Sequence, residues 1–338
     1  MPLEKNLIID RAMTSPGPTG LKVHAGLRVA SLGSGSAGNS TVICSSNTTL
    51  LLDCGFTLKE SVARLSALGL TLDDLDAILI SHEHSDHVRG LGPIARKCNA
   101  SVWITHGSYD AWRDKKIANV NFCTAHQPFT VGDISIDPFP TPHDAAESCQ
   151  FVFSVGDSSA TRPAVRFVVL TDLGICTSHI MEKLKTANAI LIECNYDLEM
   201  LRNGPYPVSL QSRIRSRFGH LGNQQSAELL AQIDHPELHR ILLGHLSERN
   251  NTPQLAHDTV AACINNAERV RVLEQHKASE WFEIAAPLIS AGDDTATTQL
   301  ADDAKPKPEI AVEQKAEEAG KPEKAQADPE DSSLSIIA

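Results

Sequence analysis

Between residues 27 and 284, short apolar runs alternate with stretches in which apolar side chains recur every three or four positions. Runs of four to six residues at 27–32, 40–44, 49–53, 77–80, 101–105, 134–139, 150–155, 165–170, 189–193, 240–243 and 281–284 read as strands, being too short for helices and bounded by turn-forming residues. A helix is predicted from Thr57, where Thr57 and Glu60 form a capping box, Val62, Leu65 and Leu68 repeat on one face, and Gly69 stands as a C-terminal glycine. Further helices are expected at 88–98, 178–186, 208–218, 223–233 and 253–267. Strands interleaved with helices predict a layered α/β domain.

The pattern fades at both ends of the 338 residues. Residues 291–338 hold no aromatic side chain and are rich in Ala, Pro, Glu, Asp and Lys, too little apolar surface to offset the entropy of ordering. The expected organisation is therefore an N-terminal extension at 1–26, a catalytic domain at 27–290 and an acidic, disordered tail at 291–338 that offers a surface for a protein partner. No run reaches the roughly 18 apolar residues of a membrane span, and the first 26 residues lack the apolar segment of a secretory signal. A cytoplasmic protein without membrane contact is the expectation. The eight cysteines form no CxxC pair, which suits free thiols in a reducing compartment.

The net charge of −12 argues against a global field that attracts nucleic acid, but −7 of it falls in the stretch from Asp293 onward. Any nucleic-acid contact must then come from a local basic patch. Arg202, Arg213, Arg215 and Arg217 supply such a cluster, and on the predicted 208–218 helix Arg213 and Arg217 would share a face, suited to a phosphate backbone or simply to water.

The strongest chemical signal is the run Ala77-Ile-Leu-Ile-Ser-His82-Glu-His84-Ser-Asp86-His87, an apolar strand leading into three histidines and an aspartate. Imidazole and carboxylate are the ligands that suit zinc and similar divalent ions. His82 and His84 fall on one side of an extended segment, and Asp86 and His87 lie in the turn that follows, so one loop can serve two metals. His143, Asp172 and His245 each follow an apolar run of their own, and strand ends are where sites collect in α/β sheets. His106, His126, His179, His235, His239, His257 and His276 carry no such signal.

In this order, Asp53, His82 to His87, His143, Asp172 and His245 resemble the pattern of the metallo-β-lactamase superfamily. The resemblance implies an αββα sandwich of two mixed β-sheets flanked by helices. It implies metal 1 on His82, His84 and His143, metal 2 on Asp86, His87 and His245, Asp172 bridging them, and Asp53 orienting the ligand loop. Two divalent ions are the implied cofactor, zinc as the default and manganese as its rival, with hydrolysis by a metal-activated hydroxide and Asp86 as its proton acceptor. The stretches SLGSGSAGNS (31–40), SHEHSDHVRG (81–90), PHDAAE (142–147), TDLG (171–174), 192–223 and GHLSERNN (244–251) are similar to the YycJ/WalJ-like branch, cytoplasmic enzymes regarded as DNA exonucleases. One departure is Gly222, where that branch has Ser after Gly-His-Leu.

Two signals remain. Gly33-Ser-Gly35-Ser-Ala-Gly38 satisfies GxGxxG but runs into a strand, which excludes a dinucleotide site and leaves a hairpin or a backbone contact to substrate phosphate. Asn39, just after it, joins Arg213 and Arg217 as a substrate-binding candidate. His220 is a candidate general acid, or else shapes the pocket. Cleavage of phosphodiester bonds in DNA is the leading expectation; RNA processing and small-molecule hydrolysis of the thioester type are the alternatives. Flavodiiron chemistry would want a carboxylate at His84, and a scaffold that had lost catalysis would have lost ligands.

Overall fold

A computed structural model describes residues 26–156 and 164–285. The predicted tail and all of the predicted N-terminal extension but Gly26 lie outside the described residues. Fourteen strands are described: β1 Leu27–Gly33, β2 Ser40–Cys44, β3 Thr49–Leu52, β4 Ala77–Leu79, β5 Ser101–Ile104, β6 Val120–Phe122, β7 Phe129–Val131, β8 Ile134–Pro140, β9 Cys149–Val155, β10 Val165–Leu170, β11 Ala189–Glu193, β12 Arg240–Gly244, β13 Val270–Val272 and β14 Phe282–Ile284. The helices are α1 Leu58–Ala67, α2 Ser85–Val88, α3 Leu91–Ala95, α4 His106–Ala111, α5 Ser178–Leu184, α6 Leu198–Asn203, α7 Val208–Ile214, α8 Asn223–Gln232 and α9 Pro253–Ala261.

The strands form two seven-stranded sheets, β14-β1-β2-β3-β4-β5-β6 and β13-β12-β11-β10-β9-β8-β7. Side-chain alternation with period two sorts each strand between two cores. Leu50 and Leu52 pack between the sheets with Phe151, Phe153 and Phe167, whereas Leu51 faces outward onto Leu65 of α1 and Ile94 of α3. Val168 and Leu170 likewise face the outer helices with Ile190 and Ile192, against Ile180, Leu230 and Val260. Each inner phenylalanine removed from water contributes roughly 1.5–3 kcal/mol. The result is the expected four-layer αββα sandwich of mixed sheets.

Strand direction decides where the chemistry falls. β3, β4, β5 and β6 are mutually parallel in the first sheet, as are β10, β11, β12 and β13 in the second. β8 is antiparallel to β9, which is antiparallel to β10, so β8 runs with the parallel group. The ends of β3, β4, β8, β10, β11 and β12 therefore carry Asp53, His82–His87, His143, Asp172, Glu193 and His245.

The differences from expectation are local. β6, β7 and β13 went unpredicted because three residues give barely one alternation, and all three are sheet edges, where short strands are favoured. α4 and α6 have no amphipathic repeat, although Thr105 and Asp197 cap them by accepting from Ser108 N and Met200 N. The predicted 88–98 helix is two pieces, broken where Gly90 N donates to Cys54 O at 2.8 Å; a Cβ there would lie 2.0 Å from Phe56 O. On α1 the capping box and the left-handed Gly69 (φ 76°) are present, but Val62 is exposed and Ser61 is the buried partner of Leu65. All eight cysteines are free thiols. Among the described residues, no helix is long and apolar enough to cross a membrane.

Candidate metal centre and active site

Asp53, Asp172 and His245 each take up a left-handed backbone conformation (φ 60°, 58° and 54°) within two residues of the end of a parallel strand. Such conformations are costly for residues other than glycine and persist where the surroundings over-determine them. Here the turn swings each side chain off its strand end into one shared volume. Gly55 performs a related task, since a Cβ on it would lie 1.8 Å from Asp86 O, so only glycine lets the 53–55 turn pack under the ligand loop.

The histidines are oriented by acceptors on one ring nitrogen. His87 Nδ1 donates to Asp53 Oδ2 at 2.8 Å, His143 Nδ1 to Gly219 O at 3.3 Å, His245 Nδ1 to Glu193 Oε1 at 2.9 Å, and His84 Nε2 to Asp144 O at 3.2 Å. A carboxylate or carbonyl oxygen can only accept, so the proton sits on the nitrogen facing it and the opposite nitrogen is turned inward. Ser81 ties the arrangement together: its N–H and hydroxyl donate to Asp53, and its hydroxyl lies 3.0 Å from His82 Nδ1.

The inward atoms face one another. His84 Nδ1 lies 3.2 Å from His143 Nε2, and His82, His84 and His143 each bring a donor atom within 4.8 Å of the others. In a second group Asp86 Oδ2 lies 3.4 Å from His87 Nε2 and 3.5 Å from His245 Nε2. Asp172 sits between the groups, its Oδ2 3.3 Å from His87 Nε2 and its Oδ1 3.2 Å from His245 Nε2. His82 Nε2, Asp172 Oδ2 and His245 Nε2 are buried and make no hydrogen bond among the described residues. Ligands of a tetrahedral ion at 2.0–2.1 Å stand about 3.3–3.4 Å apart along each edge, the spacing observed here.

Electrostatics separate the two groups. Burial pushes His82 and His143 below the ordinary histidine value, so both are neutral imidazoles. Burial would do the same to His87 and His245, but Asp172, with Asp53 and Asp86 at His87 and Asp86 and Glu193 at His245, outweighs it and holds both well above that value. Against the cost of burial, these imidazoles in turn keep Asp86 and Asp172 ionised far below the usual carboxylate range. The second group thus holds protons where a divalent cation would neutralise the same carboxylates.

A cavity of about 220 Å³ opens onto this cluster, with His84, Asp86, His143, Asp172, His220 and His245 at its base and Leu210, Arg213 and Ile214 of α7 as one wall. His220 lines it, with Nδ1 2.7 Å from Glu193 Oε1, a contact that raises its pKa against burial. Arg213 also lines it, with Nε and Nη2 2.7 and 2.6 Å from Asp144 Oδ2. Arg217 does not share its face. α7 ends at Ile214 because His220 N bonds back to Ile214 O at 2.8 Å, and a Cβ at Gly219 would lie 2.1 Å from that oxygen, so the 208–218 helix is cut short to bring His220 under the wall. Asn39 is buried below the pocket instead of lining it; its amide nitrogen lies 3.3 Å from Asp86 Oδ2 and its oxygen accepts from Gly35 N. From the glycine-rich stretch Ser36 reaches the cavity.

Glu193 went unrecognised in the sequence. Fully buried at the end of β11, it holds both His220 and His245 and accepts from Leu173 N and Leu221 N. Its signal is the one shared by Asp53 and Asp172, an acid terminating an apolar strand. Asn195, 3.2 Å from His245 Nδ1, and Asp144 had none. Gly222 has its own reason: a Cβ would come within 2.7 Å of the Tyr196 ring, and Gln225 Oε1 accepts from both Gly222 N and Tyr196 Oη.

A family model described as a beta-lactamase superfamily domain matches residues 48–246. Exodeoxyribonuclease WalJ of Streptococcus pneumoniae serotype 2 is 36% identical over 249 residues, which span 72% of this chain and 90% of that protein. Exodeoxyribonuclease YycJ of Bacillus anthracis is 34% identical over 244 residues, 70% and 88% of the two chains. Among solved structures, the metallo-β-lactamase fold protein YhfI of Bacillus subtilis superposes with a TM-score of 0.55 at 18% identity, over 75% of this chain and 99% of its own.

Proposed function

The chain belongs to the metallo-β-lactamase superfamily, and from that premise we propose that it is a metal-dependent exonuclease that hydrolyses phosphodiester bonds at DNA ends. The observation that carries the metal-dependent chemistry is the convergence of two inward-facing donor groups on Asp172, with His84 and His143 3.2 Å apart, Asp86 and Asp172 3.2–3.5 Å from His87 and His245, and His82 within 4.8 Å of its partners. The choice of DNA rests on the relatives.

In this reading His82, His84 and His143 hold one divalent ion, Asp86, His87 and His245 hold a second, and Asp172 serves both. Five imidazoles favour zinc, and the carboxylates leave manganese as the rival. Bound there, the ions would acidify water and offset charge building on phosphoryl oxygens. Asp86, ionised and open to the pocket, accepts the proton of the attacking water. His220, anchored by Glu193 and facing the cavity, delivers a proton to the leaving oxygen. Arg213 and Arg217 meet backbone phosphates, while Asn39 supports Asp86. Eight free thiols suit a reducing, cytoplasmic setting.

The test is incubation with end-labelled single- and double-stranded DNA and RNA, with zinc or manganese added, beside Asp86→Ala. Progressive shortening of DNA that disappears in the variant supports the reading. Shortening of RNA alone, or survival of every polymer while a small phosphodiester or thioester is cleaved, overturns the assignment to DNA.

A further inference from the structure

From Met200 to Ala227 the chain carries four arginines and no acidic residue, in a protein of net charge −12. Within that stretch Val208 is 77% exposed and Phe218 57%, the latter the most exposed of nine phenylalanines. Phe218 stands beside Gly219 and His220, which line the catalytic pocket, and its carbonyl accepts from Asp144 N at 3.1 Å. Its own N–H donates to Ser216 Oγ at 3.3 Å, so the backbone under the ring is pinned on both sides. Arg215 and Arg217 share this turn, and among the described residues neither forms an ion pair. The cavity of about 220 Å³ is smaller than the roughly 300–1,000 Å³ that encloses a drug-sized ligand, so a reacting phosphate can enter while its base stays at the rim.

We propose that Phe218 is a stacking platform for an unpaired base of the DNA strand whose phosphate enters the pocket, with Arg215 and Arg217 following that strand's backbone. An aromatic face flanked by arginines suits single strands because every base has a π-face, whereas bases inside a duplex are already stacked. This deepens the reading of the site as a DNA exonuclease and rests on it. It makes a frayed or single-stranded end the preferred substrate.

The experiment uses the full-length, metal-loaded protein and single-stranded phosphorothioate DNA with 2-aminopurine placed at each terminal position in turn. Binding to the wild type quenches the probe at one end. Phe218→Ala abolishes the quench and weakens single-strand binding roughly five- to hundredfold, while Phe218→Tyr keeps both. Wild-type quench and affinity in Phe218→Ala overturn the proposal, as does an equal loss of affinity for single strands and for a blunt duplex. An unmodified phosphodiester strand of the same sequence that stacks on Phe218 but is never shortened overturns the exonuclease reading and leaves the platform standing. DNA shortened by Phe218→Ala at the wild-type rate does the reverse.

Discussion

Asp53 Oδ2 accepts a hydrogen bond from His87 Nδ1 at 2.8 Å, inside a core where His87 is wholly buried. The bond fixes which ring nitrogen of His87 faces the second donor group, and Asp53 also takes the N–H of Ser81 at 2.8 Å. Asparagine tolerates the left-handed backbone of this position and keeps the shape, but its NH₂ would face a donor. Asp53→Asn should therefore weaken metal binding roughly 10- to 100-fold with the fold intact. Competition against a chromophoric chelator measures it; unchanged affinity would mean that Asp53 orients nothing.

Glu193 gives the same logic two clients. Its carboxylate takes four donors, from His220, His245, Leu173 and Leu221, which uses all of a carboxylate's acceptor sites. Burial would raise its pKa, but His220 and His245 outweigh that and keep it ionised. Glu193→Gln brings an NH₂ against donors in a dry site, a loss of about 1–3 kcal/mol. Denaturant unfolding should show that loss, and cleavage should fall further than in a variant of His220 alone because His245 is disturbed too. An intact midpoint would refute this account of Glu193.

Protons and metal compete at His87 and His245. Both have folded-state values well above the ordinary histidine value of about 6.5, so in chelator-treated protein their stabilising contribution is complete below that pH. It is lost as pH rises through the raised values. A divalent ion must displace the same protons, so its affinity grows in that direction. The gap in melting temperature between metal-loaded and chelated protein should therefore widen with rising pH above about 6.5. A gap that narrows would assign the bound metal to other residues.

The strand and helix pattern made a layered α/β domain legible, but the αββα sandwich came from the family resemblance, because Leu50, Leu51 and Leu52 are alike in the chain although Leu50 and Leu52 face the core between the sheets and Leu51 faces the helices. Seven ligand candidates were legible because each follows an apolar run, and strand ends are where an α/β sheet gathers its chemistry. Glu193 follows such a run too, yet its role depends on two histidines brought near only by the parallel pairing of β11 with β12 and by the turn after α7. The same turn undid the shared face of Arg213 and Arg217. A tertiary bond from His220 N to Ile214 O ends the helix where local periodicity would continue it. Asn39 was legible as important but misplaced, since a buried amide and a pocket-lining amide look alike in sequence.

Arg213 separates positioning from phosphate recognition. Its side chain is 64% exposed and its guanidinium is bound to Asp144, whose carbonyl accepts from His84 Nε2. An exposed ion pair contributes about 0–1 kcal/mol, so Arg213→Ala should leave the unfolding midpoint nearly unchanged. If the arginine also meets a backbone phosphate, the variant binds all single-stranded sequences more weakly, and the slope of log affinity against log salt flattens by about 0.7. A titration of labelled oligonucleotide at several salt concentrations reads both quantities. An unchanged slope with weakened metal affinity would instead mean that Arg213 serves only to hold Asp144 against His84.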